Sequence, residues 1–133
     1  MVTEKELIEQ FLGIPYKHRG RTQDGLDCWG LIIWAYKKMG YDLWDIEEEY
    51  DKNWSFKGRD LFIENYHKEW EKRDKPELFD VVLFLNGKGI ANHGGIMLTN
   101  GGFLHCCKRG TVRSRLSQWR QKPEGFYHLK IRK

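Results

Sequence analysis

Cysteine is scarce in this chain, and its placement rules out a stapled scaffold. Only Cys28, Cys106 and Cys107 are present among 133 residues. Two of them are sequence neighbours, and neighbouring cysteines close a disulfide only with strain. A small secreted fold held by disulfide bridges is therefore excluded. No run of about 18 apolar residues occurs, so no transmembrane helix is expected. The opening residues, Met1-Val2-Thr3-Glu4-Lys5-Glu6, are polar and lack the apolar core of a secretory signal, which predicts synthesis in the cytoplasm without a signal peptide. No internal repeat and no low-complexity tract appears. What remains is 40% hydrophobic and 32% charged, with six Trp, six Tyr and seven Phe, the composition of one folded domain over residues 1–133.

Charge is unevenly spread. Residues 42–80 hold 13 of the 19 acidic side chains against 7 basic ones, whereas residues 81–133 hold Glu124 alone against 10 Lys and Arg. A basic half either solvates one face or meets an anionic partner such as nucleic acid or a wall polyanion. Lys108, Arg109, Arg113, Arg115, Arg120 and Lys122 carry most of it. Trp119 among them either stacks on a sugar or fills the core, and the core is the simpler expectation.

Thr3 and Glu6 form a capping box ahead of Leu7, Ile8, Phe11 and Leu12 at helical spacing, and Gly13 and Pro15 end that helix. Residues 16–26 read as a loop. Asp27 is a good N-cap for a second helix, which Gly40 terminates, with Trp29, Ile32, Ile33, Tyr36 and Met39 recurring at three- and four-residue intervals. Residues 41–57 are acidic and aromatic without clean periodicity, and the role of the acidic segment 41–75 is open. A third helix is predicted from about Arg59 to Trp70, with Leu61, Phe62, Tyr66 and Trp70 inward. Val81-Val82-Leu83-Phe84-Leu85 reads as a buried strand. Thr99-Asn100-Gly101 reads as the turn of a hairpin, and Tyr127, Leu129 and Ile131 alternate as a final half-buried strand. Helices first and strands afterwards predict an α+β fold, N-terminal helices packed on an antiparallel sheet.

Cys28 falls in the predicted first turn of the second helix, where unpaired backbone amides carry partial positive charge and lower a thiol pKa. A nucleophilic thiol needs a base and an orienting partner. His93, followed by Gly94 and Gly95, and His105 twelve residues on are the candidates. The two glycines are expected to leave open space beside the imidazole. The histidines share a sheet face only if the hairpin loop is odd. A three-residue loop at Asn100-Gly101-Gly102, with Gly102 left-handed, would pair Thr99 with Phe103 and achieve this.

These residues resemble the NlpC-type cell-wall peptidases, papain-like cysteine hydrolases. The blocks that carry the resemblance are Leu12-Gly13-Ile14-Pro15-Tyr16 with Asp24-Gly25-Leu26-Asp27-Cys28-Trp29-Gly30-Leu31, then Leu78-Phe79-Asp80-Val81-Val82-Leu83-Phe84 with His93-Gly94-Gly95-Ile96-Met97-Leu98, then Phe103-Leu104-His105. The resemblance implies a papain-like fold, with Cys28 as nucleophile, His93 as general base and His105 as the orienting residue. It implies that Tyr16 and the Cys28 amide serve the oxyanion and that Asp27 contacts the substrate amine. Trp29 stands where many members have serine and resembles the phage and prophage tail-associated branch. Phe79 stands where glycine is usual, which bears on the turn. The implied reaction is hydrolysis of a peptidoglycan stem peptide, at the bond between D-γ-glutamate and a diamino acid. The implied setting is a phage tail with its proteins as partners, acting at the cell wall. No cofactor is expected.

Other classes make different demands. His105-Cys106-Cys107 is dense in ligands, but only His105 and Cys107 share a strand face and no Cys-x-x-Cys or His-Glu-x-x-His spacing exists, so no metal is expected. Basic residues with Trp119, Phe126 and Tyr127 would suit a polyanion or a nucleic-acid strand, but no recognised nucleic-acid motif is present and no specific nucleic acid is expected. A non-catalytic tail-assembly component on the same fold is the third possibility.

Overall fold

Thr3 opens the first helix, α1 (Glu4–Phe11). Its hydroxyl accepts the Glu6 amide proton while the Glu6 carboxylate reaches back to the Thr3 amide. In this computed structural model the described residues are 2–43, 69–87, 89 and 91–132. Leu7 and Phe11 of α1 are buried, whereas Leu12 lies past the helix end and is half exposed. A two-stranded ribbon follows, β1 (Arg21–Thr22) with β2 (Gly25–Leu26), and then α2 (Cys28–Lys38). α2 carries Leu31, Ile32, Ala35 and Tyr36 into the core and ends ahead of Gly40, whose φ of +94° suits glycine.

The remaining strands form one antiparallel sheet: β3 (Trp70–Arg73), β4 (Val81–Leu85), β5 (Ala91–Met97), β6 (Gly102–Cys107), β7 (Gly110–Arg115) and β8 (Pro123–Leu129), in the order β3-β8-β4-β5-β6-β7. The architecture is the expected α+β. β4 is apolar throughout because both its faces are covered. Val81 and Leu83 join the large core under the helices, and Val82 and Phe84 join a smaller cluster with Met97 and Phe103 on the far face.

Three expectations change. The helix predicted over 59–70 falls on residues outside those described, except Glu69 and Trp70, and Trp70 begins a strand. It pairs with Leu129 and sets its ring edge-on to Tyr36 at 5.4 Å, so burial against the sheet decides its conformation. The last strand stops at Leu129, leaving Ile131 69% exposed beyond it. That strand is also covered on both faces, since His128 is buried, with Nδ1 at 2.7 Å from the Asp80 carboxylate and Nε2 at 2.9 Å from the Arg132 carbonyl. Phe79, at φ +72°, takes the left-handed conformation that glycine adopts without cost, and its buried ring keeps it there.

Asp80 is fully buried between His128 and Arg132. Removing one partner from a buried ionic cluster leaves the others uncompensated, a loss of about 3–5 kcal/mol. Asp80→Ala should lower the urea unfolding free energy by about that amount with an unchanged m-value. A loss below about 1 kcal/mol would show the cluster to be solvated.

Candidate active site

The start of α2 is fixed by a small polar knot. One oxygen of Asp27 accepts the Gly30 amide at 2.7 Å and an Arg21 guanidinium N–H at 2.8 Å. The same Arg21 nitrogen donates to the Gly20 carbonyl at 2.9 Å, and the Trp34 indole donates to the Arg21 carbonyl. Glycine at position 30 is forced, since a Cβ there would lie 2.0 Å from the Gly20 oxygen. Tyr16 bridges to Leu26 just ahead of the knot. The chain therefore enters the helix along one path, and Cys28 is its first residue.

Cys28 is half-buried and unpaired by any disulfide. The Gly94 backbone, next to His93 in the sequence, favours its thiolate form. The expected depression of the thiol pKa does not occur. Burial pushes the Cys28 thiol up to about 12 and the Asp27 carboxylate adds to the rise, against the opposing pull of the Gly94 amide and Arg21. Asp27 itself explains part of the failure: the carboxylate that caps the helix places a negative charge beside the sulfur and offsets the helix end. Tyr16 feels the same surroundings. Burial first, then Asp27 and Cys28, raise its phenol above the usual range, so its hydroxyl stays a donor at neutral pH.

His93 and His105 meet directly, with His93 Nε2 at 2.7 Å from His105 Nδ1. The loop between β5 and β6 is odd, but it is shifted by one residue from the expectation. It spans Thr99–Gly101 and joins Leu98 to Gly102, Asn100 and Gly101 take positive φ, and Gly102 is extended. The parity survives the shift, so both imidazoles share one face. The glycines beside His93 do not leave space. A Cβ on Gly95 would lie 2.9 Å from the Leu104 carbonyl and 3.1 Å from the His105 Cβ, so Gly95 lets β6 bring His105 in.

His105 is fully buried and its other nitrogen, Nε2, lies 2.8 Å from the Ser114 hydroxyl. Trp119 covers both rings, near-parallel to His93 at 5.9 Å and edge-on to His105 at 4.7 Å. Phe84 and Phe103 pack on the same pair from below. Burial lowers His93 to about 3, with help from His105 and Arg120, and lowers His105 to about 4, with help from Arg109. At neutral pH the resting state is thus an uncharged thiol with two uncharged imidazoles.

Tyr16, Asp27 and Cys28 lie together at the start of α2, where Trp29 packs against the main core, and His93 and His105 meet each other on β5 and β6 among Phe84, Phe103 and Trp119. Asp27 already serves the helix cap and Arg21. His105 and Cys107 do not form a ligand pair: both His105 nitrogens are engaged, and the Cys107 sulfur lies 3.7 Å from the Gly110 carbonyl. Glu77, Asp80 and His128 offer ligand atoms within 4.8 Å of one another, but Arg73 and Arg132 already balance those carboxylates. Ser114 and the covering role of Trp119 are not visible from spacing in the first two blocks. The signal for Ser114 is the Lys108-Arg109 turn, which sets Phe103 opposite Ser114 and so places the hydroxyl on the face of His105.

Residues 13–126 match the NlpC/P60 family, and the chain belongs to it. The fold is shared with solved structures of low sequence identity. The NlpC/p60 domain of the peptidoglycan hydrolase SagA matches at 18% identity with a TM-score of 0.61, over 92% of this chain and 93% of that one. A lipoprotein-like NLP/P60 protein from Staphylococcus aureus matches at 20% identity and TM-score 0.67, over 94% of this chain and 39% of its own. NlpC2 from Trichomonas vaginalis matches at 16% identity and TM-score 0.69, over 92% of this chain and 45% of its own. Among the described residues no helix is long and apolar enough to cross a membrane.

The raised thiol pKa has a direct consequence. A group at about 12 is protonated throughout the neutral range, so alkylation of Cys28 by iodoacetamide, followed peptide by peptide, should rise steadily from pH 6 to pH 10. A rate already fast and level from pH 5 to pH 8 would reveal a preformed thiolate instead.

Proposed function

We propose that the chain is a cysteine peptidase of peptidoglycan, with Cys28 as nucleophile, His93 as general base and His105 as its orienting partner. The observation that carries this reading is the 2.7 Å contact between His93 Nε2 and His105 Nδ1, which pairs the candidate base with its orienting residue. That contact occupies Nε2 of His93 and leaves Nδ1 for the sulfur.

In the proposed reaction the thiol proton moves to His93 Nδ1 as the sulfur attacks the scissile carbonyl. The two neutral groups become a thiolate–imidazolium pair only when substrate excludes water and the charges stabilise each other. The Cys28 amide, one of the unpaired first-turn donors of α2, and the Tyr16 hydroxyl receive the oxyanion. His93 then gives its proton to the leaving amine, and water hydrolyses the thioester. Family membership and a fold shared with a peptidoglycan hydrolase support stem peptide as substrate.

Two finer points belong to the same proposal. The scissile bond is that between D-γ-glutamate and a diamino acid, as the resemblance of the Cys28 block implies. The Cys28-Trp29-Gly30-Leu31 sequence supports a place in the phage and prophage tail-associated branch, made in the cytoplasm and carried with tail proteins to the wall.

Mass spectrometry of purified muropeptides digested by wild type and by Cys28→Ser tests both the chemistry and the bond. Cleavage should fall at least about a thousandfold in the variant, at unchanged thermal stability, and the wild-type product should carry the diamino acid as its new amino terminus. Equal cleavage by both proteins, or none by either, would reject the peptidase assignment in favour of a tail-assembly or polyanion-binding module.

A further inference from the structure

The hydrogen-bonded chain does not end at His105. Its Nε2 lies 2.8 Å from Ser114 Oγ on the neighbouring strand β7, and this contact fixes more than the ring's position. Each neutral imidazole carries one proton, and a bond between two ring nitrogens has one donor. Two proton orders satisfy the chain. In the first, His93 Nε2–H donates to His105 Nδ1, His105 Nε2–H donates to Ser114, and His93 Nδ1 is bare. In the second, every bond is reversed: Ser114 donates to His105 Nε2, His105 Nδ1–H donates to His93 Nε2, and His93 Nδ1 carries a proton. Only the first gives a base.

We propose that Ser114 is a positioning residue that accepts the His105 Nε2–H proton and thereby holds His93 in the tautomer with Nδ1 free. The inference rests on the reading of His93 as the base for Cys28. Three observations favour Ser114 as acceptor. Ser114 is half-buried, so its own hydroxyl proton has a path to water, while His105 is sealed at 0% exposure and has no such path. The charged side chains that act on the pair, Arg109 on His105 and Arg120 on His93, are cations that oppose imidazolium formation. A chain of acceptors running away from His93 spreads the charge it gains in the transition state. Ser114 occupies the only polar end of that chain among the described residues, since Trp119, Phe84 and Phe103 enclose the rest. The hydroxyl is never consumed: it accepts the same proton whether His93 is neutral or protonated.

Nitrogen-15 spectra of the imidazoles in the full chain test the proton order without requiring activity. At pH 7 the wild type should show both His93 and His105 as the Nε2–H tautomer. Ser114→Ala should turn His105 to a mixture, and Ser114→Thr, which keeps the hydroxyl, should restore the wild-type pattern. On muropeptides Ser114→Ala should lower kcat about ten- to a hundredfold at unchanged KM, with Ser114→Thr within a few-fold of wild type. His93 or His105 found as the Nδ1–H tautomer in the wild type would overturn the inference. So would a Ser114→Ala protein with unaltered spectra and kcat. Failure of the underlying reading looks different: Cys28→Ser then cleaves as well as wild type, or neither protein cleaves, and the spectra alone decide the role of Ser114.

Discussion

The Asp27 carboxylate is the constraint on which the site depends. It caps α2, pairs with Arg21 and, through Arg21, ties the helix start to the Gly20 carbonyl. Those bonds leave one path for the backbone at Cys28, and they demand glycine at position 30 because nothing larger passes the Gly20 oxygen. The thiol is therefore placed by a polar knot together with its packing against the main core. The same carboxylate raises the thiol pKa. Position is gained at the expense of resting charge.

That trade explains why the histidine pair is enclosed. A thiol near 12 and imidazoles near 3 and 4 cannot hold separated charge in the resting protein. They can do so only in a dry site where opposite charges attract strongly and where each proton has a defined destination. Trp119, Phe84 and Phe103 supply the dry enclosure, and the His93–His105–Ser114 chain supplies the destinations. The two faces of the central sheet divide the labour. One packs the helices that carry the thiol, and the other packs the aromatic cluster that shields the imidazoles.

Much of this was legible in the sequence because it follows from local chemistry. The Thr3–Glu6 box, the Asp27 cap and the apolar run of β4 are written in residue types at fixed offsets. The odd parity of the β5–β6 loop was legible too, although the loop lies one residue earlier, because Asn100 rather than Gly102 takes the left-handed position. What was not legible depends on distant neighbours. Trp70 reads as helical in its own window and becomes a strand because Tyr36 and Leu129 receive it. The thiol pKa cannot be read from a helix end alone, since burial and the capping carboxylate both oppose it. Ser114 belongs to a strand whose alternating arginines read as a charged surface, and its role exists only once β6 and β7 are in register.

The central claim is that the Cys28 sulfur, rather than either of the other two thiols or a water molecule, makes the first bond to substrate. Acid quenching of a single turnover with excess wild-type protein, followed by digestion and mass spectrometry, reads that bond directly. The account predicts a stem-peptide acyl group held as a thioester on the peptide containing Cys28. An adduct on Cys106 or Cys107, or complete product formation with no acyl-enzyme at any time point, would contradict it.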